Sequence, residues 1–182
     1  MKNHTKNNKT KKKAQIWVET VIYTLIGLAI IGLLLAISKP KIDQMKDKSV
    51  IEQTIDSMNK IDSKIFEVID RGIGNKRRID ELKISKGRFI INPVDDEISW
   101  ILDSSYKYSE PDQPIALGRL NVLTTKDGDK WEIEISAEYP VDLTYDGRED
   151  LKEFSISPSP YAISILNNGT LDNRIQVDLK VD

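Results

Sequence analysis

The sequence predicts an α+β protein: a long N-terminal helix, first apolar and then amphipathic, leading into an all-β, antiparallel, sandwich-like outer domain. Three observations predict it. Residues 16–38 form an almost unbroken run of Ile, Leu, Val and small residues. Over residues 42–69 apolar side chains recur mostly at steps of three and four. From Leu82 onward that period gives way to short alternating runs separated by turn residues. The chain thus divides into a basic segment 1–14, a transmembrane helix 15–38, an amphipathic stalk helix 39–74 and a β-rich domain 75–182.

The basic segment comes first. Of the 27 Lys and Arg, six lie at Lys2, Lys6, Lys9, Lys11, Lys12 and Lys13; set against the 29 Asp and Glu, the rest of the chain is net acidic by about eight charges. An acidic body argues against a nucleic-acid partner, because phosphate contacts need clustered Lys and Arg. Lys76-Arg77-Arg78 is too short a patch to reverse this and reads as a solvated turn. With no cysteine, a disulfide framework and thiolate metal sites are excluded.

Between Ile16 and Ser38 only Glu19, Thr20, Thr24 and the terminal Ser38 interrupt the apolar run. As a helix it reaches roughly 35 Å, enough for a hydrocarbon core of about 30 Å. It exceeds the roughly 7–15 apolar residues of a secretory signal, and no Ala-x-Ala cleavage site follows. Six lysines precede the run, whereas Lys39, Lys41 and Lys46 beyond it are mixed with Asp43 and Asp47. The positive-inside rule therefore predicts a single-pass protein with its N-terminus in the cytoplasm and its β domain outside. Glu19 is the anomaly, since a carboxylate at bilayer depth costs up to about 3 kcal/mol.

Lys12-Lys13-Ala14-Gln15 followed by Glu19 resembles the class III signal peptide of archaeal type IV pilin precursors. Ala14 stands where that family more commonly has Gly. The resemblance covers the leader and the apolar helix. It implies cleavage between Ala14 and Gln15 by a prepilin peptidase, with Lys13, Ala14 and Gln15 forming the processing site and Glu19 fifth in the mature chain. It implies further that the apolar helix passes from membrane lipid into a filament core, with identical or related pilin subunits and an assembly machinery as partners. Cleavage would create an α-amino group at Gln15, and pairing it with a neighbour's Glu19 would set subunit register, because a buried pair costs far less than either charge alone.

Pro40 lacks an N–H and crowds the preceding turn, so a kink or short break near Ser38-Lys39 is expected. Ile42, Met45, Ile51, Ile55, Met58, Ile65 and Ile69, bridged by Ile61 or Asp62, then mark one apolar face, with Gly72 or Gly74 as the stop. Strands are predicted at 82–84, 88–91, 98–102, 117–124, 131–137, 152–156, 162–166 and 174–181. NPVDDE, KDGDK, YDGRED, SPSP and NNGT are the predicted turns between them.

Three local features suggest sites. Asp127-Gly128-Asp129 and Asp95-Asp96-Glu97 hold carboxylates of the kind calcium takes, but Asp-Gly is foremost a hairpin signal and acidic triplets are usually solvated, so no metal and no cofactor is assigned. Asn168-Gly169-Thr170 fits the N-glycosylation sequon, making Asn168 the candidate acceptor, although Asn-Gly also suits a type I′ turn. Trp100, Tyr106, Tyr108, Trp131, Tyr139, Tyr145 and Tyr161 suggest a carbohydrate or adhesion surface, while aromatics in strands more often pack in cores.

The one histidine, His4, lies in the basic segment, and no phosphate loop or nucleophile elbow appears, so no enzyme is expected. The function expected is that of a structural subunit of an archaeal type IV pilus-like surface filament, serving adhesion; an archaellin is a related case. The alternative is a membrane-anchored extracellular binding protein that does not polymerise.

Overall fold

A computed structural model describes residues 6–181, with side chains from Trp17 to Val181. It has one helix, α1 (Lys6–Arg71), followed by ten strands. By internal packing the chain divides into residues 1–43 and 44–182.

In the first unit the apolar run is helical throughout and its large side chains, from Trp17 to Ile37, are exposed. The Thr24 hydroxyl donates to the Thr20 carbonyl at 2.8 Å, which satisfies a polar group within the apolar stretch. Of the kink or short break expected near Ser38-Lys39, the break does not occur, because α1 passes through Pro40. Proline removes one hydrogen bond and crowds the preceding turn, but intact turns on either side hold the helix.

In the second unit the buried stripe is shorter than its sequence spacing suggests. Met45 is exposed, and full burial begins at Ile51 and continues through Ile55, Met58, Ile61, Ile65 and Val68; Ile42, in the first unit, is exposed too. Among the described residues, Asp47 is the first helix side chain bonded to the β domain, so no sheet surface covers the stripe before it. The helix ends at Arg71, and Gly72 follows at φ 82°. The last carbonyls are satisfied from two directions. Asn75 Nδ2 donates to the Arg71 and Gly72 carbonyls at 2.8 and 3.0 Å, and Asn167 Nδ2 donates to the Val68 carbonyl at 2.9 Å.

The strands are β1 (Lys76–Leu82), β2 (Arg88–Asn92), β3 (Glu97–Ser104), β4 (Ile115–Leu117), β5 (Leu120–Asp127), β6 (Lys130–Glu138), β7 (Asp142–Tyr145), β8 (Lys152–Ser155), β9 (Tyr161–Leu171) and β10 (Arg174–Val181). They form a four-stranded sheet, β1-β9-β10-β7, and a six-stranded sheet, β4-β5-β6-β3-β2-β8. The inward residues of both sheets and the buried stripe of α1 share one apolar core. Trp100 is its largest wholly buried side chain, and the indole N–H donates to the Lys86 carbonyl at 3.1 Å.

Five local expectations are corrected. Lys76-Arg77-Arg78 is not a turn but the start of β1, where Arg77 Nε donates to Glu67 on α1 at 2.6 Å. β1 stops at Leu82, so the short strand expected at 82–84 does not form. The segment 117–124 is two strands joined at Gly118-Arg119. Residues 142–145, where no strand was expected, form β7, whose pairing with β10 is parallel, so the four-stranded sheet is mixed. Finally, Asn167-Asn168-Gly169-Thr170 lies within β9; the β9–β10 hairpin turns instead at Asp172-Asn173, both at positive φ (47° and 67°). That pair suits a two-residue primed turn, in which both central residues need positive φ.

Candidate functional site

The segment with the clearest chemical character is the apolar part of α1. It is the one helix among the described residues long and apolar enough to cross a membrane. Glu19 stands on it with an exposed side chain. Lys13, Ala14 and Gln15 lie in the helical stretch of α1, but their side chains are outside the described residues. Residues 1–5 of the basic segment lie outside the described residues altogether. The backbone places Gln15 and Glu19 one helical turn apart, on the same face.

In the outer domain, α1 is held to the strands by polar ties that sequence spacing did not reveal. Asp47 accepts from Lys86 Nζ, from the Ser105 N–H at 2.6 Å and from the Ser105 hydroxyl at 2.7 Å. Burial acts to raise the Asp47 pKa, but these hydrogen bonds together hold it below the usual carboxylate range. Asp62, 7% exposed, accepts from Arg119 of the β4–β5 turn, whose Nε donates to both carboxylate oxygens and whose Nη2 donates to Oδ2. The Arg119 guanidinium also lies 3.4 Å from the centre of the Phe66 ring. Beside it the Tyr139 hydroxyl is buried with no hydrogen-bond partner among the described residues, and burial with the Asp62 charge pushes its pKa well up.

The sequence-predicted acidic loops do structural work. Asp96, at φ 53°, accepts from the Leu143 N–H at 2.9 Å and from Arg174 at 2.7 Å, joining the two sheets, while Asn92 donates to Asp95. Asp127-Gly128-Asp129 belongs to the β5–β6 hairpin, where Asp127 faces Lys130. Among the described residues no group of three or more His, Cys, Asp or Glu is arranged to hold a metal.

The aromatics fill the core instead of lining one surface. Trp100 packs on Phe89 (centroids 5.5 Å apart), and Phe154 links Phe89 to Tyr145 and Tyr161. Tyr139 is buried, and Tyr106, Tyr108 and Trp131 are half-buried against the same core.

What the outer domain presents is an acidic sheet face. On the outer side of the six-stranded sheet stand Glu97 of β3 and Glu132 and Glu134 of β6, and Glu134 has its pKa raised by burial and by the other two charges. A shallow groove of about 440 Å³ opens beside them, lined in part by Arg88, Ile101, Asp103, Glu132 and Glu153. Gly87, at φ 77°, makes room there, since a side chain would collide with the Ile101 carbonyl. Asn168 is exposed and sits in a β-bulge of β9, where Gly169 faces Gln176 and Asn167 faces Val177.

Comparison of the chain with protein-family models, curated proteins and solved structures returns no match.

Proposed function

We propose that the protein is a structural subunit of a type IV pilus-like surface filament, inserted with its N-terminus in the cytoplasm and trimmed between Ala14 and Gln15. One observation carries this reading: a lysine-rich leader ends at Ala14-Gln15, and the exposed apolar helix that follows has a single carboxylate, Glu19, one turn in. An anchor alone needs no carboxylate there. In a filament, a new α-amino group at Gln15 and Glu19 of a neighbouring subunit pair, and mispacked helices leave both charges unpaired in an apolar setting. The exposed Leu and Ile side chains of residues 25–37 contact lipid before assembly and other subunits after it. The resemblance to class III precursors supplies the remaining partners: a prepilin peptidase, an assembly ATPase and a polytopic platform. The outer domain then faces the surroundings, where adhesion is its role.

The test is mass spectrometry of the N-terminal peptide from sheared surface material and from membranes. A chain beginning at Gln15 and enriched in the sheared fraction is expected. A chain beginning at Met1 and confined to membranes overturns the proposal and leaves Glu19 as an interfacial residue of a simple anchor.

A further inference from the structure

Asn168 belongs to an Asn-Gly-Thr tripeptide whose other neighbours have evident structural duties. Asn167 is 2% exposed; its amide nitrogen binds the Val68 carbonyl at the end of α1, and its oxygen accepts from the Gly169 N–H at 2.9 Å. Gly169 sits at φ 103°, a backbone conformation that residues with a Cβ rarely adopt, which favours glycine there. Asn168 has neither duty. It is the extra residue of the bulge, with no partner opposite on β10, its side chain is exposed, and its amide makes no hydrogen bond among the described residues. Nor does it form the hairpin turn, which Asp172-Asn173 supplies. Thr170, the other residue the sequon requires, is also exposed.

We propose that Asn168 is the attachment point of an N-linked saccharide. The donor class is a saccharide carried on a lipid phosphate and delivered by a transferase outside the cytoplasm. A bond forms between Asn168 Nδ2 and the anomeric carbon, while the bond from that carbon to the phosphate oxygen breaks. The lipid phosphate leaves with the electron pair, the amide gives up one proton, and nothing is oxidised or reduced. Nearby lie Ile73, in reach of Gly169, and Leu171 on the same hairpin, which are 74% and 57% exposed. A saccharide at Asn168 has two apolar side chains to cover.

The inference rests on the outward placement of the β domain in the proposed function, but not on filament assembly. Trypsin releases residues 153–174 as one peptide containing Asn168. In protein purified from its native cells, that peptide is expected to carry a saccharide on Asn168, and Asn168→Gln and Thr170→Val each to abolish the adduct. Asn168→Gln is also expected to leave the melting temperature of unglycosylated, recombinant protein unchanged, whereas a structural asparagine would lower it. An unmodified peptide, or one showing only deamidation at Asn168-Gly169, overturns the inference. The N-terminal peptide from the same digest separates the two readings. A chain starting at Gln15 with bare Asn168 defeats this inference alone, and a chain starting at Met1 with a saccharide defeats only the filament.

Discussion

One helix contains two contrasting regions. In residues 17–37 the large apolar side chains are exposed, whereas in residues 51–68 those on one face are buried against two β-sheets. Both stretches are helical and rich in Ile. The difference is in their polar residues. The second stretch has charged residues on its outer face, among them Glu52, Asp56, Lys60 and Lys64, so it presents only one apolar stripe, which the domain covers. The first is apolar on every side, and a helix of that kind is suited to lipid or to close packing by other helices.

The largest effect that tests this contrast is at Glu19. Glu19→Ala is expected to abolish sheared filaments while the outer domain melts as before; filaments at wild-type abundance would break the comparison, since the first region would then need only its apolar surface. Next come core truncations. Phe89→Ala should cost about 3–5 kcal/mol in urea unfolding, the usual penalty for emptying a buried aromatic site. Leu28→Ala, in the exposed region, should leave that unfolding curve unmoved.

A smaller loss is expected from Asp62→Ala. Breaking a wholly buried ion pair costs about 3–5 kcal/mol, but Arg119 is half exposed and water recovers part of the loss, which leaves about 2 kcal/mol. Keeping Asp62 and changing Arg119→Lys sharpens the point, because lysine lacks the planar fork and the stacking on Phe66. The smallest effect is pH-dependent. The Asp47 carboxyl is held below its unfolded value, so its contribution is fully present above about pH 4 and is lost as pH falls through the lower, folded value. The stability gap between wild type and Asp47→Asn should therefore narrow on acidification below about pH 4. A gap independent of pH would assign the tie to geometry instead of charge.

Much of this molecule was legible in the sequence, and the failures have a common cause. The apolar run, a stop at Gly72 or Gly74 (the structure takes the first), the hairpin at Asp127-Gly128 and the order of helix before strands follow from local chemistry: hydropathy, left-handed glycine and side-chain period. β1 was missed because Lys76-Arg77-Arg78 looks solvated, and only the distant Glu67 makes Arg77 at home on an inward face. β7 was missed because four residues carry little pattern, and their pairing with β10 lies more than thirty residues away. At the candidate site, the basic segment and Glu19 were legible because their signal is contiguous. The exposure of Asn168 had been expected, but in a turn and not in a bulge.

By itself, then, the sequence determined that a lipid-compatible helix precedes an acidic β domain, because both properties belong to residues near one another in the chain. Only the tertiary structure decided where the helix becomes buried, which asparagine caps it and which is left over. Those outcomes depend on pairs such as Asp47 with Ser105, Asp62 with Arg119 and Val68 with Asn167. Such contacts form only when packed faces meet, and no local period encodes them.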